Sequence, residues 1–345
     1  MDQVKFGIFT PPRGLEWIYR TAELAEKLGN YDSVWMPDHL VGWGRNVDAL
    51  DVWTTLTAVG LKTKNVKLGV GVTDPHRRHP SVLAHTAMTI EHVVGTGRMM
   101  VGIGAGESMN LDIYGFKWDK PVSKLKEFVE IVKKLWTKKL VNYKGQYFNL
   151  KRAFISPKPE KIPIFIAGNR PRTRKITGEL GDGWFPFKVD PKLYKKYLDE
   201  IKKAAIDVER NPDEIVPGFL LYTVVSDDVD KAQKIANESG RMLLMVSPNK
   251  IDELGFKAPT YKLDATKPLS RESMAEGFQK IKEIPFEAIE KIFIYGTADD
   301  CIEKISKFVD AGCRYFVIGL LNPGKERDQG ITTYSKKIIS YFQSS

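Results

Sequence analysis

The sequence predicts an α/β protein, a closed (β/α)₈ TIM barrel with insertion segments. Three observations carry that prediction. Short runs of β-branched and aromatic residues alternate with longer amphipathic segments along all 345 residues. Such alternation implies βαβ units and a parallel sheet. The alternation repeats about eight times, which favours closure into a barrel over an open sheet. No G-x-G-x-x-G follows the first run, so the N-terminal half does not read as a dinucleotide-binding sheet. The expected organisation is a single barrel domain over 1–345, with inserts at about 141–159 and 247–285.

The elements follow in order. Residues 4–9 read as a strand, and 15–28 as a helix with Ile18, Ala22, Leu24, Ala25 and Leu28 at helical spacing. Strands are expected at 33–36, 66–72 and 98–104. Helices are expected at 51–63, at 80–94 with proline in the first turn, and at 123–136 with Phe128, Ile131, Val132 and Leu135 on one face. The stretch 141–159 breaks the alternation with KGQYFNL, which reads as a small hairpin. The pattern resumes with strand 164–167, helix 172–180, strand 184–187, the Lys-rich helix 191–208, strand 216–225 and a helix from 229. Residues 247–285 are irregular and rich in Pro, Lys and Ser. Strand 291–295, helix 299–311, strand 315–319 and a C-terminal helix complete the chain.

Composition excludes several classes. Hydrophobic residues at 42% and charged residues at 28% are ordinary for a globular protein. No apolar run reaches the roughly 18 to 20 residues of a membrane span, so no membrane partner is expected. The start MDQVKFGIFTPP enters a strand directly and lacks a basic-then-apolar leader. The two cysteines, Cys301 and Cys313, cannot form a staple framework. Together these point to a cytoplasmic setting. The net charge of +10 fits a Lys-rich surface or an anionic cofactor; the basic residues are spread along the chain, so no nucleic-acid partner is expected.

Barrel active sites lie at the C-terminal ends of the strands. Asp38, His39 and Trp43 follow the second strand; Thr73, Asp74, Arg77 and Arg78 follow the third. Gly104, Ala105, Gly106, Glu107, Ser108, Met109 and Asn110 follow the fourth, and Gly168, Asn169 and Arg170 the fifth. A lone histidine is more often a capping or buried structural residue. His39 stands after a strand beside Asp38 and near Trp43, where an imidazole can exchange a proton at neutral pH. Glu107 lies in a glycine-rich turn, although acidic residues also simply favour helix starts. Asn110 can donate and accept at a ring edge. Gly168, Asn169 and Arg170 precede a proline-opened helix and suit a phosphate; a solvated basic helix start fits equally. Lys188, after the sixth strand, reads as a contact for an anionic substrate or cofactor tail, or as a surface lysine. His76 and His79 are spaced HxxH, but H-E-x-x-H and neighbouring cysteines are missing, so no metal is expected. No GxSxG elbow is present.

Six runs in order, SVWMPDHLVGW, KLGVGVTDPHRRHPSVLA, GRMMVGIGAGESMN, KGQYFNL, IPIFIAGNRP and GTADDCIEKI, give the chain a resemblance. It resembles, over nearly its whole length, the coenzyme F420-dependent oxidoreductases of the bacterial-luciferase-like superfamily. The D-H-x-x-x-W and G-E-x-M-N segments are similar to those of F420-dependent secondary-alcohol and sugar-phosphate dehydrogenases. VTDPHRRHP and YGFKWDKPV are similar to phthiodiolone ketoreductases and methylenetetrahydromethanopterin reductases. Those last reductases carry a glutamate in the first strand, where this chain has Phe9.

The resemblance implies a deazaflavin, with FMN as the alternative cofactor, and hydride transfer to or from a small substrate, a secondary alcohol or ketone before a pterin. It implies that Asp38 and Asn110 hold the polar edge of the ring, with Thr73 beside it. Gly71 and Val72 would form a bulge with a non-prolyl cis peptide behind the ring. Ala105 and Gly106 would line it, and Gly168, Asn169 and Arg170 would receive the phosphate, although relatives often have two glycines in place of Asn169 and Arg170. His39 would handle the proton, with Trp43 and Glu107 on the substrate oxygen. A homodimer is expected. Two further readings are an FMN-dependent monooxygenase of the same superfamily and a non-catalytic deazaflavin- or nucleic-acid-binding protein.

Overall fold

Eight β-rich runs close into one parallel ring. In a computed structural model describing residues 3–10, 14–40 and 48–344, the strands are β1 (Lys5–Phe9), β2 (Ser33–Met36), β3 (Lys67–Thr73) and β4 (Met99–Ile103). They continue with the hairpin pair β5 (Val141–Lys144) and β6 (Asn149–Ala153), then β7 (Ile164–Ile166), β8 (Gly183–Trp184), β9 (Val216–Val225), β10 (Phe293–Gly296) and β11 (Tyr315–Leu320). The ring runs β1-β2-β3-β4-β7-β8-β9-β11 and returns to β1.

Successive side chains in a strand point to opposite faces, and the pleat sorts this sequence into two cores. Val34, Met36, Leu68, Val70, Val101, Ile164, Phe316 and Ile318 join the apolar layer between ring and helices. Phe9, Trp35, Met100, Phe165, Phe185, Leu220, Tyr315 and Val317 fill the barrel. Trp35 stacks on Phe185, with ring centroids 4.9 Å apart. It fits because β3 supplies Gly69: a Cβ there would lie 2.1 Å from the indole. At the closed end, Trp35 Nε1 donates to Ser33 Oγ at 2.8 Å, and Tyr315 OH lies 2.7 Å from that oxygen. Tyr315 OH donates in turn to Asp32, whose carboxylate also meets Lys67 at 3.0 Å.

Local chemistry sets the helix ends. Prolines open the helices Pro80–Val94, Pro121–Thr137, Pro171–Leu180 and Pro191–Ile206, where the missing N–H has no helical partner to lose. Gly29, at φ 78°, closes Leu15–Leu28 in the left-handed region. The KGQYFNL hairpin forms β5 and β6 and is tied to the helix Pro121–Thr137. Glu127 there accepts the backbone N–H groups of Gln146, Tyr147 and Phe148.

Two differences from the sequence reading concern the wall. The sixth ring strand spans only Gly183–Trp184, because Pro186 has no N–H to continue the ladder. The run at 291–295 forms β10 outside the ring: it pairs only with the C-terminal half of β9, from Tyr222 to Val225, while β8 pairs with Val216 and Pro217. The irregular segment before β10 contains the helices Pro248–Glu253 and Arg271–Lys280, the latter opened by a Ser270–Ser273 capping box. It packs through Ile251, Leu254 and Leu263 into a cluster with Val224 and Phe293. No helix among the described residues is long and apolar enough to cross a membrane.

Candidate active site

The loops after β2, β3 and β4 meet in one acidic network. Asp38 is 4% exposed and its carboxylate is fully engaged. Thr73 Oγ1 donates to Oδ2 at 2.6 Å and Trp53 Nε1 to the same oxygen at 3.4 Å, while Arg77 Nη1 donates to Oδ1 at 3.2 Å. The Arg77 Nε donates to Asp74 Oδ2 at 2.5 Å, and its Nη2 to the main-chain carbonyl of Asp38, also at 2.5 Å. Asp74 turns its other oxygen to the backbone N–H groups of His76 and Arg77. One guanidinium therefore serves two buried carboxylates on two loops, and their charge raises its already high pKa against the cost of burial.

His39 is partly buried beside this network. Desolvation is the largest influence and pushes its pKa below the ordinary histidine value; the charge of Arg77 acts in the same direction. Glu107, Asp38 and Asp74 oppose them. An imidazole held neutral in this way is available as a proton acceptor at neutral pH. Glu107 is exposed and accepts a bond from Asn110 Nδ2 at 2.6 Å. Trp43 lies outside the described residues.

The β3 wall carries a shift of register between Val70 and Thr73, and the Gly71–Val72 peptide within it is cis, the geometry the resemblance implies. Gly71 and Val72 are both partly buried. Beside them, just after the paired strand β4, Ala105 is fixed through its carbonyl, which accepts from Trp118 Nε1 at 3.0 Å and lies 3.2 Å from His76 Nε2. Gly106, at φ 75°, holds a backbone conformation that disfavours a side chain, and a Cβ there would crowd Asp74, His76 and Leu111 at 3.2 Å.

The β7 and β8 loops bring a different chemistry. Gly168 accepts Trp184 Nε1 at 2.9 Å through its carbonyl, and Asn169 Nδ2 donates to the Phe187 carbonyl at 2.5 Å. Asn169 Oδ1 is buried without a hydrogen-bond partner. Arg170 is exposed at the start of the helix Pro171–Leu180. Of its basic neighbours, Arg174 pairs with Glu200 and lies over the Tyr197 ring, and Arg172 reaches Ser123. Lys188 is 7% exposed, has φ 58° and donates to Ser247 Oγ at 2.9 Å. Burial pushes its pKa down to about 8, Glu107 pulling it up and Lys250 pressing it further down. The insert reaches the mouth twice, through Ser247 and through Ala265, whose carbonyl accepts the Met109 N–H at 3.3 Å. Among the described residues no group of three or more His, Cys, Asp or Glu is placed to hold a metal ion.

The structure thus gathers Asp38, Thr73 and His39 on one side of the mouth with Glu107 and Asn110 beside them, and Asn169 and Lys188 on another. The residues without an assigned role in the sequence reading are Arg77, Trp53, Trp118 and Ser247. Arg77 was visible as a charge just after the third strand, but nothing local to it named Asp38 as its partner.

Residues 4–315 match the luciferase-like monooxygenase family. The chain belongs to that family. This luciferase-like chain is 31% identical over 344 residues to a 5,10-methylenetetrahydromethanopterin reductase of Archaeoglobus fulgidus, covering 97% of itself and 99% of that protein. It is 30% identical to an F420-dependent glucose-6-phosphate dehydrogenase of Microbacterium testaceum, covering 92% and 90%. Among solved structures, an F420-dependent secondary alcohol dehydrogenase in complex with an F420–acetone adduct superposes with a TM-score of 0.82 and 25% identity, covering 97% of this chain and 98% of that one.

Proposed function

We propose that this chain is a coenzyme F420-dependent oxidoreductase that moves a hydride between the deazaflavin and a secondary alcohol or ketone, with His39 managing the proton. The observation that carries the reading is the partly buried His39, held toward its neutral form at a mouth that also contains Glu107. The relatives supply the cofactor: the dehydrogenases of Microbacterium testaceum and of the solved F420–acetone adduct are both named for F420.

The residues present fit such a group. The partly buried Gly71–Val72 bulge, with its cis peptide, is a stretch of backbone at the mouth against which a ring could lie. The unpartnered Asn169 Oδ1 is an acceptor suited to a hydroxyl of the polyol chain that deazaflavin cofactors carry. Thr73, Ala105 and Asn110 would border the ring's polar edge. Asp38 would act there through Thr73, which its carboxylate orients. Gly168, Asn169 and Arg170 would take the phosphate.

When bound, the deazaflavin exchanges a hydride at one ring carbon and carries the redox chemistry. The chain's own residues do the rest. In alcohol oxidation the substrate O–H proton passes to the His39 imidazole as the C–H hydride leaves; reduction runs the same proton back. Glu107 would orient the substrate oxygen. Lys188 offers a buried cation to an anionic part of the substrate or cofactor. Pterin reduction is the second reading, because the Archaeoglobus relative is a reductase of that type. Phe9 speaks against it: it is buried inside the barrel and packs edge-on to Tyr222 at 6.4 Å, where those reductases carry a glutamate. A homodimer in the cytoplasm belongs to the same reading.

The test is a titration of the purified protein with F420 and with FMN, followed by a screen of secondary alcohols and ketones with whichever binds. Tight F420 binding with alcohol turnover and no oxygen uptake is the expected result. FMN binding with oxygen consumption would move the assignment to a monooxygenase.

A further inference from the structure

The loop after β3 presents Arg77 in an arrangement more specific than a buried ion pair needs. Its side chain is 9% exposed and makes three bonds in three directions. One goes to Asp74, one to the Asp38 carboxylate, and one to the Asp38 main-chain carbonyl. That carbonyl belongs to the peptide whose nitrogen is His39. The fork therefore grips the peptide plane from which the imidazole hangs, and it ties this plane to the β3 loop. A lysine could match the charge but not a planar fork of donors.

We infer that Arg77 is the positioning residue for His39, aligning the imidazole through the Asp38–His39 peptide without itself touching substrate. This inference rests on the proposed proton-handling role of His39. Arg77 also sets the balance of charge there. Among the described residues the groups acting on His39 are Asp38 on its own turn, Asp74 and Arg77 from the β3 loop, and Glu107 from the β4 loop. Three are carboxylates, so the guanidinium is the one cation among them that favours the neutral ring.

The test is a histidine titration of the full-length protein by long-range ¹H–¹⁵N NMR, with His39 assigned by its loss in His39→Gln. Arg77→Met should move the His39 midpoint up, since it removes a cation and bares two carboxylates. Asp74→Asn should move it down by removing a carboxylate, and Arg77→Lys keeps the inference testable if Arg77→Met fails to fold. Arg77→Lys should keep the midpoint near that of the wild type while turnover falls about 10- to 100-fold, because charge survives and alignment does not. In wild type and Arg77→Met, the acid limb of the turnover profile should follow the NMR midpoint. If the midpoint stays in place in Arg77→Met, or if Arg77→Lys turns over like the wild type, Arg77 does not position His39. The two claims separate cleanly. His39→Gln with intact turnover overturns the proposed function, whereas collapsed turnover in His39→Gln with an indifferent Arg77 overturns only the positioning role.

Discussion

The two sides of the barrel mouth handle charge in opposite ways. On the β2–β4 side the carboxylates have their partners within the chain: Asp38 and Asp74 share Arg77, and Glu107 holds Asn110. On the β7–β8 side a lysine is buried with a serine hydroxyl, and a buried amide oxygen has no partner. The first side is complete before any ligand arrives and can hold an imidazole in a fixed state. The second keeps polar groups under desolvation cost until something anionic or hydroxylated binds. On the proposed function, proton handling and ligand capture would fall to different loops.

The largest effect should come from the complete side. His39→Ala should lower turnover about 10²- to 10⁴-fold, the usual weight of a general base or acid, while the F420 titration stays within a few-fold of wild type. Stopped-flow reduction of the bound cofactor by alcohol would measure it, and near-wild-type rates would remove His39 from the chemistry.

An intermediate effect, opposite in sign for stability, should come from Lys188. Its midpoint of about 8 lies below the ordinary lysine value, so between about pH 8 and 10 the unfolded chain binds more protons and the wild type gains stability as pH rises. Below that window the buried ammonium is a standing cost. Lys188→Met should therefore stabilise the protein at pH 7 by about 1 to 3 kcal/mol, and the gain should shrink as pH climbs toward 10. Ligand affinity should fall at the same time. Thermal melts at pH 7 and pH 10 decide the matter: a variant less stable at pH 7, or equally stabilised at both, would mean the lysine is not under this cost.

The smallest effect should fall on Asn110. Its bond to Glu107 involves an exposed carboxylate, so Asn110→Ala should cost only a few tenths of a kcal/mol, as exposed polar pairs generally do. A much larger loss in denaturant melts would show that the complete side depends on this pair as strongly as on Arg77.

Much of this was legible in the residues, and the remainder has identifiable physical reasons. Prolines 80, 171 and 191 mark helix starts by a local rule, and 80–94 and 216–225 match the structure, whereas the helix expected from 123 begins at Pro121. The positions of Asp38, Thr73 and Asn169 at the mouth follow from strand order alone. The brevity of β8 is local, set by Pro186 inside the run 184–187, whereas the detachment of β10 depends on which edge of β9 is free, and no single segment encodes that. The fit of Trp35 over Gly69 requires the β2–β3 register. Likewise the choice of Asp38 by Arg77, across 39 residues, and of Ser247 by Lys188, across 59, is made by the closed ring and not by spacing.

The detachment of β10 has a consequence for how this mouth can change. The segment carrying Ser247 and Ala265 leaves the ring after β9 and returns through a strand that no ring pairing requires. Residues can be gained, lost or exchanged there while the eight-strand closure and the loops after β2, β3 and β4 keep their geometry. The groups that meet Lys188 and Met109 at the mouth thus sit on a stretch that can be rebuilt without reopening the ring.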